Sequence, residues 1–221
     1  MNFLFNNLIF IILAIVGVVY GINYWLENSR KLGLKTWASE NGLDHLPFLT
    51  PETHDLLYRF AIAKKGRSRL ATNSIVANTE QVDMSVFDYV YITGSGKNQS
   101  THRLSIALVS SDTIIAHAVE LEPQHWYSSF AKMFGGMDID FEDDPEFSNA
   151  FVVRGIDPPS IKNFLTPTRR KALMPFRQLT IEVQPKAVLI AWRKRLRAKD
   201  IPGYMATALQ VYDAIASPKS A

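Results

Sequence analysis

Hydrophobic and polar positions change period several times along the chain. Leu8–Tyr20, LIFIILAIVGVVY, is apolar throughout apart from one glycine, and no charged side chain precedes Glu27. An uncharged stretch of this length matches the roughly 20 residues that a helix needs to cross hydrocarbon, where it satisfies its own backbone hydrogen bonds. Residues 1–28 are therefore expected to form a transmembrane anchor, with Tyr20, Tyr24 and Trp25 at the interface. A cleaved signal peptide would want a positive leading region and a small-residue cleavage site, and neither is present. Arg30, Lys31 and Lys35 follow the apolar run, so the positive-inside rule puts the bulk of the chain on the cytoplasmic side of a bacterial inner membrane.

Residues 29–70 read as a juxtamembrane helical segment. One helix is expected over 29–41, ending at Asn41-Gly42, and a second opens at Thr50-Pro51 with Thr50 as its N-cap. KKGRSR, residues 64–69, reads as a solvated basic loop around Gly66, with contact to anionic headgroups as the functional alternative.

Residues 71–217 carry the signature of an α+β domain, a mostly antiparallel sheet with several short flanking helices. From about residue 74, VDMSVFDYVYI, RLSIALVSS and TIIAHAVEL are rich in β-branched and aromatic residues with partial alternation, and an antiparallel meander is expected from them. QHWYSSFAKMF has helical spacing. Asp144-Pro145, Asp157-Pro158 and Thr166-Pro167 are three more capped helix starts. LTIEV and AVLIAWRKR are expected to form a hairpin turning at Gln184-Pro185-Lys186, and a closing helix is expected to bury Met205, Leu209 and Tyr212.

Composition narrows the chemistry. The 221 residues include no cysteine, which excludes disulfides, thiolate metal sites and a cysteine nucleophile. The net charge of +3 hides an asymmetry: residues 1–160 carry 12 basic and 18 acidic side chains, residues 161–221 carry 12 and 3. With only one end positive, nucleic acid is not expected as a partner.

ITGSGKNQS, residues 92–100, has the look of a phosphate loop. A Walker loop needs glycine where Tyr91 stands and a hydroxyl where Asn98 stands, and G-x-G-x-x-G fails at Gln99. The next element is a strand, so no helix N-terminus would face a phosphate. A hairpin loop is expected, with no nucleotide and no cofactor. The acidic run of Asp138, Asp140, Glu142, Asp143, Asp144 and Glu146 lacks the register of a calcium loop. His45, His54, His102, His117 and His125 show no metal-ligand spacing, so no metal site is expected. No serine-hydrolase elbow is present. The candidate binding residues are Lys97, His102 and Arg103 beside the glycine loop, and Arg193, Lys194 and Arg195 within the basic run WRKRLRAK.

FDYVYITGSGKNQSTHR, followed by FGGMDIDFEDDPEFSNAFVVRG, resembles an uncharacterised family of bacterial membrane-anchored proteins with F-D-Y-x-Y, T-G-S-G-K and D-I-D-F-x-x-x-P-E-F motifs. The resemblance runs from about Ile75 to Arg195 and implies an intact domain behind a membrane anchor. It brings no catalytic residue. The reading is then a single-pass membrane-tethered binding or interaction module, with a protein as its partner, in preference to an enzyme. Two alternatives stand beside it. One is a membrane-associated hydrolase using His102, Asp138 and Asp140; the other is a sensor of anionic lipid surfaces using Lys64–Arg69 and Arg193–Lys199.

Overall fold

The computed structural model describes residues 2–124 and 138–216, with side chains from residue 13 onward. The helix expected over 124–134 lies almost wholly outside them. Helix α1 (Asn2–Glu40) is continuous, so the expected anchor and the helix after it are one element. It stops where expected: Gly42 takes φ +66°, and the Leu43 N–H returns to the Ala38 carbonyl. Among the described residues no helix is long and apolar enough to cross a membrane. Leu13, Val16, Tyr20, Trp25 and Leu26 stand exposed along the N-terminal part of α1, away from the domain core.

Eight strands form one antiparallel sheet: β1 (Asp44–Leu46), β2 (Arg67–Asn78), β3 (Asp83–Thr93), β4 (Ser100–Ser110), β5 (Val119–Pro123), β6 (Phe151–Gly155), β7 (Thr180–Gln184) and β8 (Ala187–Trp192). Their order is β1-β2-β3-β4-β8-β7-β5-β6. Around it lie α2 (Pro51–Leu57), α3 (Pro145–Ala150), α4 (Pro158–Phe164), α5 (Pro167–Leu173) and α6 (Ile201–Ala216). The four proline-led helices start as the sequence predicts. Thr50, Asp144, Asp157 and Thr166 each accept a hydrogen bond from the backbone N–H three residues on.

Both faces of the sheet are covered. Met84 and Val86 of β3, Val109 of β4 and Val188 and Ile190 of β8 point into the larger core, with Leu34 and Ala38 of α1 and the buried stripe of α6. Phe87, Tyr89, Leu104, Ile106 and Leu189 point the other way, under Leu57 of α2 and Phe60. Alternation along β3 thus feeds two cores, as expected of a strand apolar on both faces.

Four expectations change. The three predicted strands do not form a meander: β3 and β4 make a hairpin, but Ser105–Ser110 of β4 then pair with β8. All six residues of β8 are buried, so it takes an interior place, and β5 is displaced to the far side of β7. Second, the 64–69 stretch is exposed as expected at every residue but one, yet it is not a loop throughout. Lys65 is buried, and β2 begins at Arg67, so the boundary drawn at residue 70 falls inside a strand. Ser68 and Asn73 take positive φ and interrupt the β2–β3 register, which broke the alternation in the sequence. Third, β6 lies within a stretch read only for its helix start. Fourth, α6 buries Ile201, Tyr204, Ala208, Val211 and Ile215, one position off the expected stripe; small Ala208 lets the helix sit close, and Leu209 stays exposed.

Candidate functional site

Three groups of polar residues are built by this fold, and the first fixes how α1 meets the sheet. Asp88, in the middle of β3, is buried on the α1 side. Its Oδ2 accepts from Arg30 Nη1 at 2.8 Å and from Asn73 Nδ2 at 2.8 Å, and its Oδ1 accepts from the Leu196 N–H at 3.0 Å. Arg30 also donates to the Leu196 carbonyl at 2.7 Å and pairs with Glu27. Both oxygens of this buried carboxylate accept hydrogen bonds, as burial of a charge demands. Asn73 makes this contact from a backbone at positive φ.

The second group is the basic end of the sheet. The β3–β4 connection is the hairpin loop expected, closed by the Thr93–Ser100 pair. A Cβ on Gly94 (φ +71°) would lie 2.2 Å from the Asn98 carbonyl oxygen, so this turn requires glycine. Arg67 caps the loop, donating to the Gly94 carbonyl and, at 2.8 Å, to Gln99 Oε1. Lys97 and Arg103 are exposed. His102 stacks on Tyr91, ring centroids 4.6 Å apart, and shares a 2.7 Å hydrogen bond with Thr93 Oγ1. Burial lowers the His102 pKa, and the charges of Arg193 and Lys65 lower it further. The Ser105–Trp192 pairing carries Arg193 and Lys194 to this same end, where the Ser105 hydroxyl donates to the Lys194 carbonyl. The two candidate groups, 90 residues apart in sequence, therefore meet. Arg195 is exposed as well, but its Nη2 lies 2.7 Å from Glu27 Oε2, so it also helps hold α1.

The direction of α1 follows from these contacts. Its C-terminal turn lies beside β1, which pairs with Ser74–Val76, themselves opposite the start of β3. Ten residues earlier, Arg30 is level with Asp88. Running toward its N-terminus from Arg30, α1 reaches Glu27, which meets Arg195 beside Arg193 and Lys194 of the basic run.

The third group lies on the opposite face, over β5, β6 and β7. Glu122 bridges Lys65 and Arg154 (3.1 Å to Arg154). Burial pushes the Glu122 pKa up, but the two cations outweigh it and hold the carboxyl below its ordinary range. Lys65 is raised, its carboxylate partners overcoming the effect of burial. Glu182 accepts from the Ala61 N–H at 2.6 Å and the Ile62 N–H at 2.9 Å, tying the turn after α2 to the sheet. Glu120 is its cross-strand partner. Burial, then the charge of Glu120, pushes Glu182 up to about 8; burial raises Glu120 as well. This cluster escaped the sequence reading. Its signal was present as acids inside apolar strands, VELEP and TIEV, where a charge needs a partner.

Three of the six residues of the acidic run serve the fold, while Asp140, Glu142 and Glu146 are exposed. Asp138 accepts from the Val153 N–H at 2.8 Å, with burial raising its pKa, and Asp143 and Asp144 clasp the buried Arg170 at 2.5 and 2.8 Å. Asp138 is tied to β6, the edge strand, and His102 stands on β4, with β8, β7 and β5 between them, so His102 and Asp138 are not drawn into one cluster. Among the described residues no group of three or more His, Asp or Glu could hold a metal ion.

No family model and no curated protein matches the chain. A similar solved structure is that of the mycobacterial trehalose monomycolate transport factor A, TtfA, with a TM-score of 0.57 at 11% identity, covering 86% of this chain and 97% of that one. At this identity the likeness is one of fold.

Proposed function

We propose that the chain is a membrane-held accessory protein, a binding module of a transport system, with its α+β domain against the cytoplasmic face of a bacterial inner membrane. The observation that carries this reading is the meeting of α1 with the basic run, where Glu27 pairs with Arg195. No charged side chain occurs in residues 1–26, and such a helix is most stable where its apolar surface leaves water. Inserted as a single pass, it brings Lys97, Arg103, Arg193 and Lys194 to an anionic leaflet. Arg30, Lys31 and Lys35 favour the cytoplasmic side. The clamp of Asp88 on Arg30 makes the domain follow the helix closely. A role in transport is supported by the likeness in fold to the mycobacterial transport factor. The motif residues behind the family resemblance, Asp88 and Gly94 among them, serve the clamp and the hairpin, which suits a module built to present a surface.

Affinity capture from native membranes tests the binding reading, comparing the full chain with a Lys97→Ala/Arg103→Ala variant. A partner lost only in the variant supports a protein-binding end; unchanged recovery removes the hairpin from the surface. A second reading, a sensor of anionic lipid surfaces, draws on Arg67 and Arg193 reaching the same end. It requires vesicle binding that scales with anionic lipid and weakens as salt rises.

A further inference from the structure

The edge of the sheet at β2 is only partly covered. β1 pairs with Ser74–Val76 alone, and the Asn73 N–H donates to the Pro47 carbonyl. Between Ser68 and Asn73, both at positive φ, the Arg69–Thr72 window has β3 on one side and no strand on the other among the described residues. In an antiparallel strand alternate residues turn their N–H and C=O outward, so this window offers ladder groups to an added strand. Beside it, Phe48, Leu57, Tyr58 and Leu70 line a groove of ≈ 270 Å³, with His54 and Arg69 at its rim. Phe48 and Leu70 are more than half exposed.

Two arginines flank this edge. Arg67 donates to the Gly94 carbonyl and Gln99, and Arg69 to the Ala63 carbonyl while lying over the Tyr58 ring. Both guanidiniums spend their hydrogen bonds on neutral oxygens. Neither forms an ion pair with a carboxylate among the described residues. An occupant supplying carboxylates would meet unneutralised charge on arrival.

We propose that the Arg69–Thr72 edge of β2 accepts an extended acidic segment of a partner protein as an added strand, with one of its apolar side chains in the Phe48–Leu70 groove. Main-chain hydrogen bonds supply affinity, and the groove and the arginines supply selectivity, as in other strand-addition sites. The bulges at Ser68 and Asn73 limit the addition to a short register and keep the edge from open-ended pairing.

The test uses the full chain in nanodiscs and labelled nine-residue peptides of alternating glutamate and valine with one central phenylalanine. A second peptide replaces glutamate by lysine; a third carries N-methyl groups on alternate residues along one edge, in both phases. The expected result is saturable binding of the acidic peptide. It should weaken about tenfold or more with the lysine peptide, with at least one N-methyl phase, and with Arg69→Glu or Leu70→Lys, a loss of about 1.4 kcal/mol for each tenfold. Both substituted side chains are exposed, so the fold is retained, and circular dichroism checks it. Absence of saturable binding up to about 1 mM, an affinity near −4 kcal/mol, overturns the proposal. So does equal binding of both N-methyl phases, which would make the groove an apolar contact without strand addition.

Discussion

Asp88 and Gly94 are six residues apart on one hairpin, yet they fail in different ways when changed. Asp88 is the shared acceptor of Arg30, Asn73 and the Leu196 N–H. Asp88→Ala takes one acceptor from Arg30, which keeps the Leu196 carbonyl and Glu27, and leaves the Leu196 N–H without its acceptor, a loss of about 1–3 kcal/mol. Chemical denaturation of the purified chain should show it, and Asp88→Asn, which keeps an acceptor oxygen, should lose less. Equal losses would mean that the charge of Asp88 alone, and not its shape or its acceptor oxygens, carries the contribution. At Gly94 the backbone is at issue: Gly94→Ala sets a Cβ against the Asn98 carbonyl, whereas at Gly96 (φ +54°) nothing lies within 4 Å. Gly96→Ala is therefore expected to cost about 1 kcal/mol, the penalty of the left-handed region alone. Gly94→Ala should cost clearly more, read as the larger fall in Tm. Reversal of that order would contradict the role given to this turn.

At the scale of elements, β5 and β7 face each other through Glu120 and Glu182. Both carboxyls are raised in the folded chain, Glu182 to about 8 from an ordinary 4.5, chiefly by burial. A carboxyl raised on folding binds its proton more tightly in the native state. Its contribution is therefore greatest below the ordinary value and is lost as pH rises through the folded one. Stability is expected to fall between about pH 5 and pH 8 from this source. Glu120→Gln removes one of the facing charges and should flatten the decline, measured as the denaturation midpoint against pH. An identical slope in the variant would show that the pair is not its source.

These same elements show what the sequence reveals. Helix starts are legible because Thr or Asp followed by proline is local chemistry, and all four caps form. The Gln184–Lys186 turn is legible for the same reason, with Lys186 at positive φ. Strand order is not legible: that β8 lies between β4 and β7 depends on its burial on both faces against partners far along the chain. β2 was half hidden because its two bulges break the alternation that marks a strand. Of the candidate site, the loop and the basic run were visible as compositions, but their meeting at one end needed the β4–β8 register. The Lys65–Glu122–Arg154 cluster draws on positions 65, 122 and 154, and no local pattern joins those.

For the whole molecule, the account rests on α1 serving at once as core helix and as apolar extension. Leu34 and Ala38 lie in the core and Arg30 is clamped, while the residues before Glu27 carry no charge and lie beyond its contact with Arg195. A domain held this way moves with its helix, which suits a module that presents one face to a bilayer and an open sheet edge to a partner. The most direct test is alkaline carbonate extraction of membranes from cells expressing the full chain or a chain lacking residues 2–26. The full chain should remain in the membrane pellet, and the shortened one should enter the supernatant with its fold intact by circular dichroism. Release of the full chain by carbonate would contradict the anchoring role of α1 and, with it, the membrane-held function proposed for the domain.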